Sequence, residues 1–135
     1  MRAKRFLLAC VVLFLVAMAW NALLHMVLLK EANAAVQHLR RPDFSQKAWL
    51  GLVLTAGLVV VFVWGYGRFA RDRSLREGLT YGLFFALVAG LLVDLNQYLI
   101  YPLPGRLAFE WFVGALVEFS LYGVLVSRLA PPPDR

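Results

Sequence analysis

Polar residues are sparse along this chain, and their spacing divides it. Four mainly apolar stretches, 6–29, 48–66, 79–101 and 107–129, stand between short polar segments. Each is close to the ~20 apolar residues that carry a helix across the hydrocarbon core of a bilayer. None shows the alternation of apolar and polar positions that a transmembrane strand requires. The pattern predicts an all-α fold: an integral membrane four-helix bundle, antiparallel, forming one domain over residues 1–135.

The connections differ in kind. Residues 30–47, "KEANAAVQHLRRPDFSQK", carry Ala32, Ala35, Val36 and Leu39 at helical spacing. The first helix is expected to run on, or to turn along the membrane surface, until Pro42 stops it. Asp43 followed by Gln46 has the spacing of a capping box and opens the second span near Phe44. Pro102, Pro104 and Gly105 force a tight reversal, so the last two spans form a hairpin. The tail "APPPDR" is too short and Pro-rich to add structure. No internal repeat of the kind that builds inverted-repeat transporters is visible.

Composition strengthens the membrane reading. The chain is 61% hydrophobic and 16% charged, where a soluble domain carries about 25% charged residues. Its net charge is +6, a balance that in other settings points to nucleic acid. Here the cations lie in connections and tails, where they set topology or meet anionic headgroups, so no nucleic acid is expected and the bilayer is the first partner. Nine cations flank the side that holds both termini and the second connection, against five on the other. The excess of cations on the cytoplasmic side of such proteins places both termini in the cytoplasm and the chain in the inner membrane. Arg68, Arg71, Arg73 and Arg76 are the expected cytoplasmic anchor.

Cys10 is the sole cysteine, which excludes an internal disulfide and a Cys-x-x-Cys pair. "LLAC" imitates a lipoprotein box, but four apolar residues before the cysteine are too few for a signal of at least ~7. "AMA" at 17–19 imitates a signal-peptidase site, yet the apolar run continues for ten more residues, so an uncleaved anchor is expected.

Within the apolar runs a few residues are out of place. An acid at mid-span costs about 2.5–3.5 kcal/mol on insertion scales, so it must find a polar environment. At 1.5 Å rise per residue, Asn21, Thr55 and Asp94 lie about 10–12 Å below one face, His25 about 6 Å and Glu118 about 16 Å. Every span thus offers a polar group at similar depth, and Asn21, His25, Thr55, Asp94, Gln97, Tyr98 and Glu118 form the expected intramembrane polar cluster. Gly78, Gly82, Ala86 and Gly90, with Gly114 on the last span, supply small residues for close helix packing. This row drifts about 40° per step, so only Ala86 and Gly90 fall near the face of Asp94.

No Lys or Arg lies in the core of a span, so Asp94 and Glu118 need His25, amides, hydroxyls, water or another subunit. Two uses of such a cluster compete: interhelical hydrogen-bond glue, and a proton or cation relay. His25, Asp94 and Glu118 could ligate a metal, but HExxH, paired histidines and a cysteine cluster are lacking, so neither metal nor cofactor is expected. Haem is disfavoured too, since His38 lies in a connection. Trp20, Trp49, Trp64, Tyr66, Tyr98, Tyr101 and Trp111 lie toward span ends, as interfacial belts do.

"HMVLL" at the end of the first span, "REGLTYGL" opening the third and "YLIYPLPG" at the last turn resemble small four-helix bacterial inner-membrane proteins of unknown function. The resemblance implies a single-domain inner-membrane protein and carries no activity with it. The chain lacks the paired cysteines of four-helix quinone-linked disulfide enzymes and the first-helix acid of small multidrug exporters. The leading expectation is a non-enzymatic accessory, stabilising or assembly subunit of a membrane complex, or a homo-oligomer. The alternatives are a small proton- or cation-coupled carrier and, behind it, a membrane enzyme acting on lipid or quinone.

Overall fold

The computed structural model describes residues 2–130. The expectation about the Pro-rich tail lies outside them, apart from Ala130. Four long helices dominate: α1 (Ala3–Leu28), α3 (Phe44–Phe69), α4 (Leu75–Ile100) and α5 (Gly105–Leu129), each long and apolar enough to cross a membrane. A short helix α2 (Lys30–Ala35) and a 3-10 turn (Gln37–Leu39) join α1 to α3. No strand occurs among the described residues. Exposed apolar side chains cover the outside: Leu54 is 72% exposed, Leu99 80% and Phe84 62%. Such a surface belongs in lipid, not water. The chain is a membrane protein.

Each long helix begins ahead of its apolar run, and α3 also runs past the end of its own. α4 starts at Leu75, ahead of residue 79, where Ser74 Oγ accepts a hydrogen bond from the Glu77 N–H at 3.1 Å. Ser74 and Glu77 have the S-x-x-E spacing of a capping box. Asp43 behaves otherwise than expected. α3 does open at Phe44, but the Asp43 side chain makes no cap bond, since Arg41 and Lys47 hold it at 2.9 and 2.6 Å. Two cations outcompete the backbone N–H for one exposed carboxylate.

The core draws on every span. Phe62 of α3 is fully buried, with its ring against Tyr81 and Phe85 of α4 at 4.8 and 5.0 Å and against Tyr122 and Phe119 of α5 at 5.7 and 6.0 Å. Ala9, Leu13 and Ala17 of α1 complete it. α4 and α5 approach most closely. A β-carbon built on Gly78 would strike the Gly123 carbonyl, one on Gly82 the Phe119 carbonyl, and one on Gly90 the Phe112 ring. The small-residue row is therefore occupied from within the chain along its whole length. Gly78 and Gly82 pack as tightly as Gly90 does, because α5 follows the drift of the row.

α3 joins this core only through its C-terminal half, where Val59, Phe62, Val63, Gly65 and Tyr66 are buried. Its N-terminal half is exposed, Trp49, Val53 and Leu54 included. Two wide turns interrupt the other helices near that level. Residues Leu24–Leu28 of α1 and Gly90–Asp94 of α4 are π-helical, with i→i+5 bonds from Leu29 N–H to the Leu24 carbonyl and from Leu95 N–H to the Gly90 carbonyl. A π turn accommodates one extra residue and rotates the remainder of its helix.

Candidate functional site: a polar cleft beside the wide turns

Because the N-terminal half of α3 stands apart, the ends of α1 and α4 are not covered by it. A cleft of about 1000 Å³ lies there, walled by α1, the 30–41 connection, Phe44, the end of α4 and Trp111 of α5. A smaller pocket of about 270 Å³ adjoins it and holds Asp94 and Glu118. Asn21, His25, Gln97 and Trp111 line both spaces, so they form one continuous site. Each wide turn delivers one residue to it: His25 from the turn in α1, and Asp94 from the turn in α4.

Glu118 is the most fully satisfied member. Asn21 Nδ2 donates to its Oε1 at 2.9 Å across the α1–α5 contact, and Tyr122 Oη donates to the same oxygen at 2.6 Å. Asn21 spends its other amide hydrogen on the Ala17 carbonyl at 2.9 Å. Asp94 is half-buried in the same pocket, and among the described residues no side chain donates to it. Gln97 lies one turn along α4 and lines the site beside it.

A second set of bonds ties the connection to the site. Asn33 of α2 is 6% exposed. Trp111 Nε1 donates to Asn33 Oδ1 at 3.1 Å, and Asn33 Nδ2 lies 3.1 Å from His25 Nδ1 and 3.3 Å from the His25 carbonyl. The His25 and Trp111 rings meet edge to face at 6.5 Å. Lys30, Arg40 and Arg41 stand at the mouth, with the Arg40 guanidinium 5.1 Å from the Phe44 ring.

Of the expected cluster, Asn21, His25, Asp94, Gln97 and Glu118 are brought together. Thr55 is not: its hydroxyl donates to the Gly51 carbonyl at 2.9 Å in its own helix, and α3 has swung away at that level. Tyr98 is not either. It is 54% exposed and its ring lies beside Gly105, across the α4–α5 turn. Among the packing residues, Gly114 accepts Leu24 against its bare α-carbon, and its carbonyl takes the Trp20 indole N–H at 3.2 Å. Ala86 is fully buried.

The expected arginine anchor divides. Arg68, Arg71 and Arg76 are exposed, whereas Arg73 is half-buried and donates to the Gly67 carbonyl at 3.3 Å. Arg73 takes a left-handed backbone, φ 51°. Glu77 holds it there, accepting the N–H groups of Arg71 and Arg73 at 2.7 Å and of Asp72 at 3.1 Å. Asn33 and the hydrogen-bonding role of Trp111 escape a reading by span, since one sits in a connection and the other looks like a belt residue. Spacing does not signal Asn33, since eight residues of continuous helix would part it from His25 by about 12 Å; the contact forms because the chain turns at Leu29.

No protein family, curated protein or solved structure matches this chain.

Proposed function

We propose that this chain binds the head of a membrane-dissolved amphiphile in the cleft, as a non-enzymatic component of the inner membrane. One observation carries the proposal: the N-terminal half of α3 stands away from α1 and α4, leaving a floor of Asn21, His25, Asp94 and Gln97 open among lipid-facing helices. Polar groups serving only as glue are better placed in a closed contact. The cleft volume is at the upper end of the ~300–1,000 Å³ typical of small-molecule sites.

In this proposal the four spans are antiparallel, with both termini in the cytoplasm and the cleft in the outer half of the bilayer. The pairing of Gly78, Gly82 and Gly90 with Gly123, Phe119 and Phe112, in falling order, supports the arrangement of α4 and α5. The cation excess at the terminal side supports the orientation. The likeness to small bacterial inner-membrane proteins is part of the same proposal and lends it no activity.

Gentle extraction followed by native mass spectrometry tests it. One amphiphile should remain per chain, and Ala22→Trp, which fills the cleft wall, should remove it. Wild-type protein free of any bound amphiphile overturns the proposal.

A carrier reading has one supporting observation, the entry of Asp94 and Glu118 into a single pocket from two helices. Proton or cation flux in liposomes that is unchanged by Asp94→Asn and Glu118→Gln ends it. For the accessory or homo-oligomeric role, the small-residue row no longer offers a surface, being filled by α5. What supports that role is the apolar N-terminal half of α3, which no other helix among the described residues covers. Co-purification in mild detergent tests it, and a strictly monomeric particle without partner speaks against it.

A further inference from the structure

The chain of bonds from Trp111 through Asn33 to His25 decides what chemistry the cleft floor offers. An indole N–H can only donate, so Asn33 must turn its Oδ1 toward Trp111. Its Nδ2 then faces His25 Nδ1 at 3.1 Å, and an amide nitrogen also can only donate. Nδ1 is therefore the acceptor, and the network assigns the ring hydrogen to Nε2. The other hydrogen of Asn33 Nδ2 reaches the His25 carbonyl, which leaves that amide no freedom to flip. Asn33 is buried, so water does not compete for these bonds.

The floor thus pairs a fixed donor, His25 Nε2–H, with an acceptor, the Asp94 carboxylate, to which no described side chain donates. The charges are sorted in a second way. The cations Lys30, Arg40 and Arg41 stand at the mouth, while the floor beneath holds two carboxyl groups. A phosphate head is drawn to the mouth and repelled from the floor.

We infer that the floor takes an uncharged oxygen head that accepts a hydrogen bond from His25 and gives one to Asp94. This inference rests on the amphiphile-binding proposal above and specifies its ligand. Two membrane-dissolved sources carry that chemistry: the quinol form of a quinone, whose oxidised ring keeps only the accepting half, and the glycerol end of a diacylglycerol. Asn33 is a positioning residue in this arrangement, acting through the tautomer of His25.

The test combines a spectroscopic and a binding arm. In a His38→Gln background His25 is the only histidine, and ¹⁵N labelling of its ring reads the tautomer directly in nanodiscs. The wild-type ring should carry its hydrogen on Nε2. Asn33→Asp places a carboxylate that accepts from both Trp111 and His25, and should move the hydrogen to Nδ1. Each protein is then titrated with a short-tailed benzoquinone, its quinol and dioctanoylglycerol.

The quinone head only accepts, so its affinity should fall about tenfold in Asn33→Asp and in His25→Phe, the scale of one hydrogen bond. His25→Gln, whose amide still donates, should retain most of it and shows that loss in the Phe variant is not unfolding. Heads that also donate should lose about tenfold on Asp94→Leu. Whichever probe binds the wild type identifies the source. A wild-type ring protonated on Nδ1, or binding indifferent to His25→Phe, overturns the inference. Retention of only a phosphate-headed lipid, unaffected by His25→Phe, overturns it and leaves the amphiphile proposal standing. Absence of every bound or added amphiphile overturns both.

Discussion

Gly82 of α4 lies against the main-chain carbonyl of Phe119 in α5, with no room between them for a β-carbon. Gly123 meets the Gly78 carbonyl in the same way from the other side. A methyl group at these sites must push two backbones apart, and backbone yields less readily than a side chain. Gly82→Ala should therefore lower stability in detergent by about 1–3 kcal/mol, the usual range for overpacking. Gly57→Ala is the control, since nothing lies within 4 Å of the added carbon. Thermal unfolding of both variants in one detergent makes the comparison, and equal midpoints would contradict the tight α4–α5 contact.

Two donors on one carboxylate oxygen should behave as a unit. Asn21 and Tyr122 both give their hydrogen bonds to Glu118 Oε1. Asn21→Ala and Tyr122→Phe should each cost about 1–3 kcal/mol, because a charge-capable group loses a partner away from water. The double variant should depart from the sum by about 0.5 kcal/mol or more, since the two bonds share one atom. A double-mutant cycle in detergent unfolding measures it.

At the connection between α3 and α4, Glu77 holds three successive backbone N–H groups and supports the left-handed Arg73. Glu77→Ala should free that segment, and amide hydrogen exchange at Arg71 and Arg73 should quicken. Ser74→Ala removes the cap of α4 and should cost about 1 kcal/mol. Unchanged exchange in Glu77→Ala would show that the loop is held by other means.

Acid should weaken the ion pairs that close the start of α3. Bonds from Arg41, and then Lys47, hold the Asp43 carboxyl below its ordinary value of 3.8. A carboxyl with a depressed folded value contributes its stability above the unfolded value and loses it as pH falls through the folded one. The contribution is thus complete above about pH 5 and disappears on acidification below the ordinary carboxylate range. Following the Asp43 carboxyl carbon by NMR, the midpoint should rise toward 3.8 in Arg41→Ala. Asp43 is exposed, so raised salt should shrink the effect.

The spans were legible because a bilayer demands length and apolarity, and both are written in one dimension. Depth was legible for the same reason: rise per residue puts Asn21, Asp94 and Glu118 at levels where they can meet. Lateral position is not written there. Thr55 has the right depth, yet the N-terminal half of α3 leans away, and the hydroxyl turns to its own helix. Rotation was only half legible. Gln97 and Tyr98 flank the same line on α4, but the site takes Gln97 while Tyr98 packs by the turn at Gly105. Asn33 was illegible by span because its worth depends on a fold-back of α2 over the end of α1. The S-x-x-E box at Ser74, which the division into spans passed over, explains why α4 starts early.

The wide turns at Leu24–Leu28 and Gly90–Asp94 have a consequence for how this molecule can change. Each is a clutch between two stretches of one helix. On one side of it the chain packs into the close glycine contacts and the ring cluster around Phe62; on the other it lines the cleft. On the amphiphile-binding proposal, substitutions at His25, Asp94 or Gln97 retune ligand preference without loosening the packing, and repacking around Phe62 alters robustness without disturbing selectivity. A helix of uniform pitch would couple the two, so that every gain in one trait carried a penalty in the other.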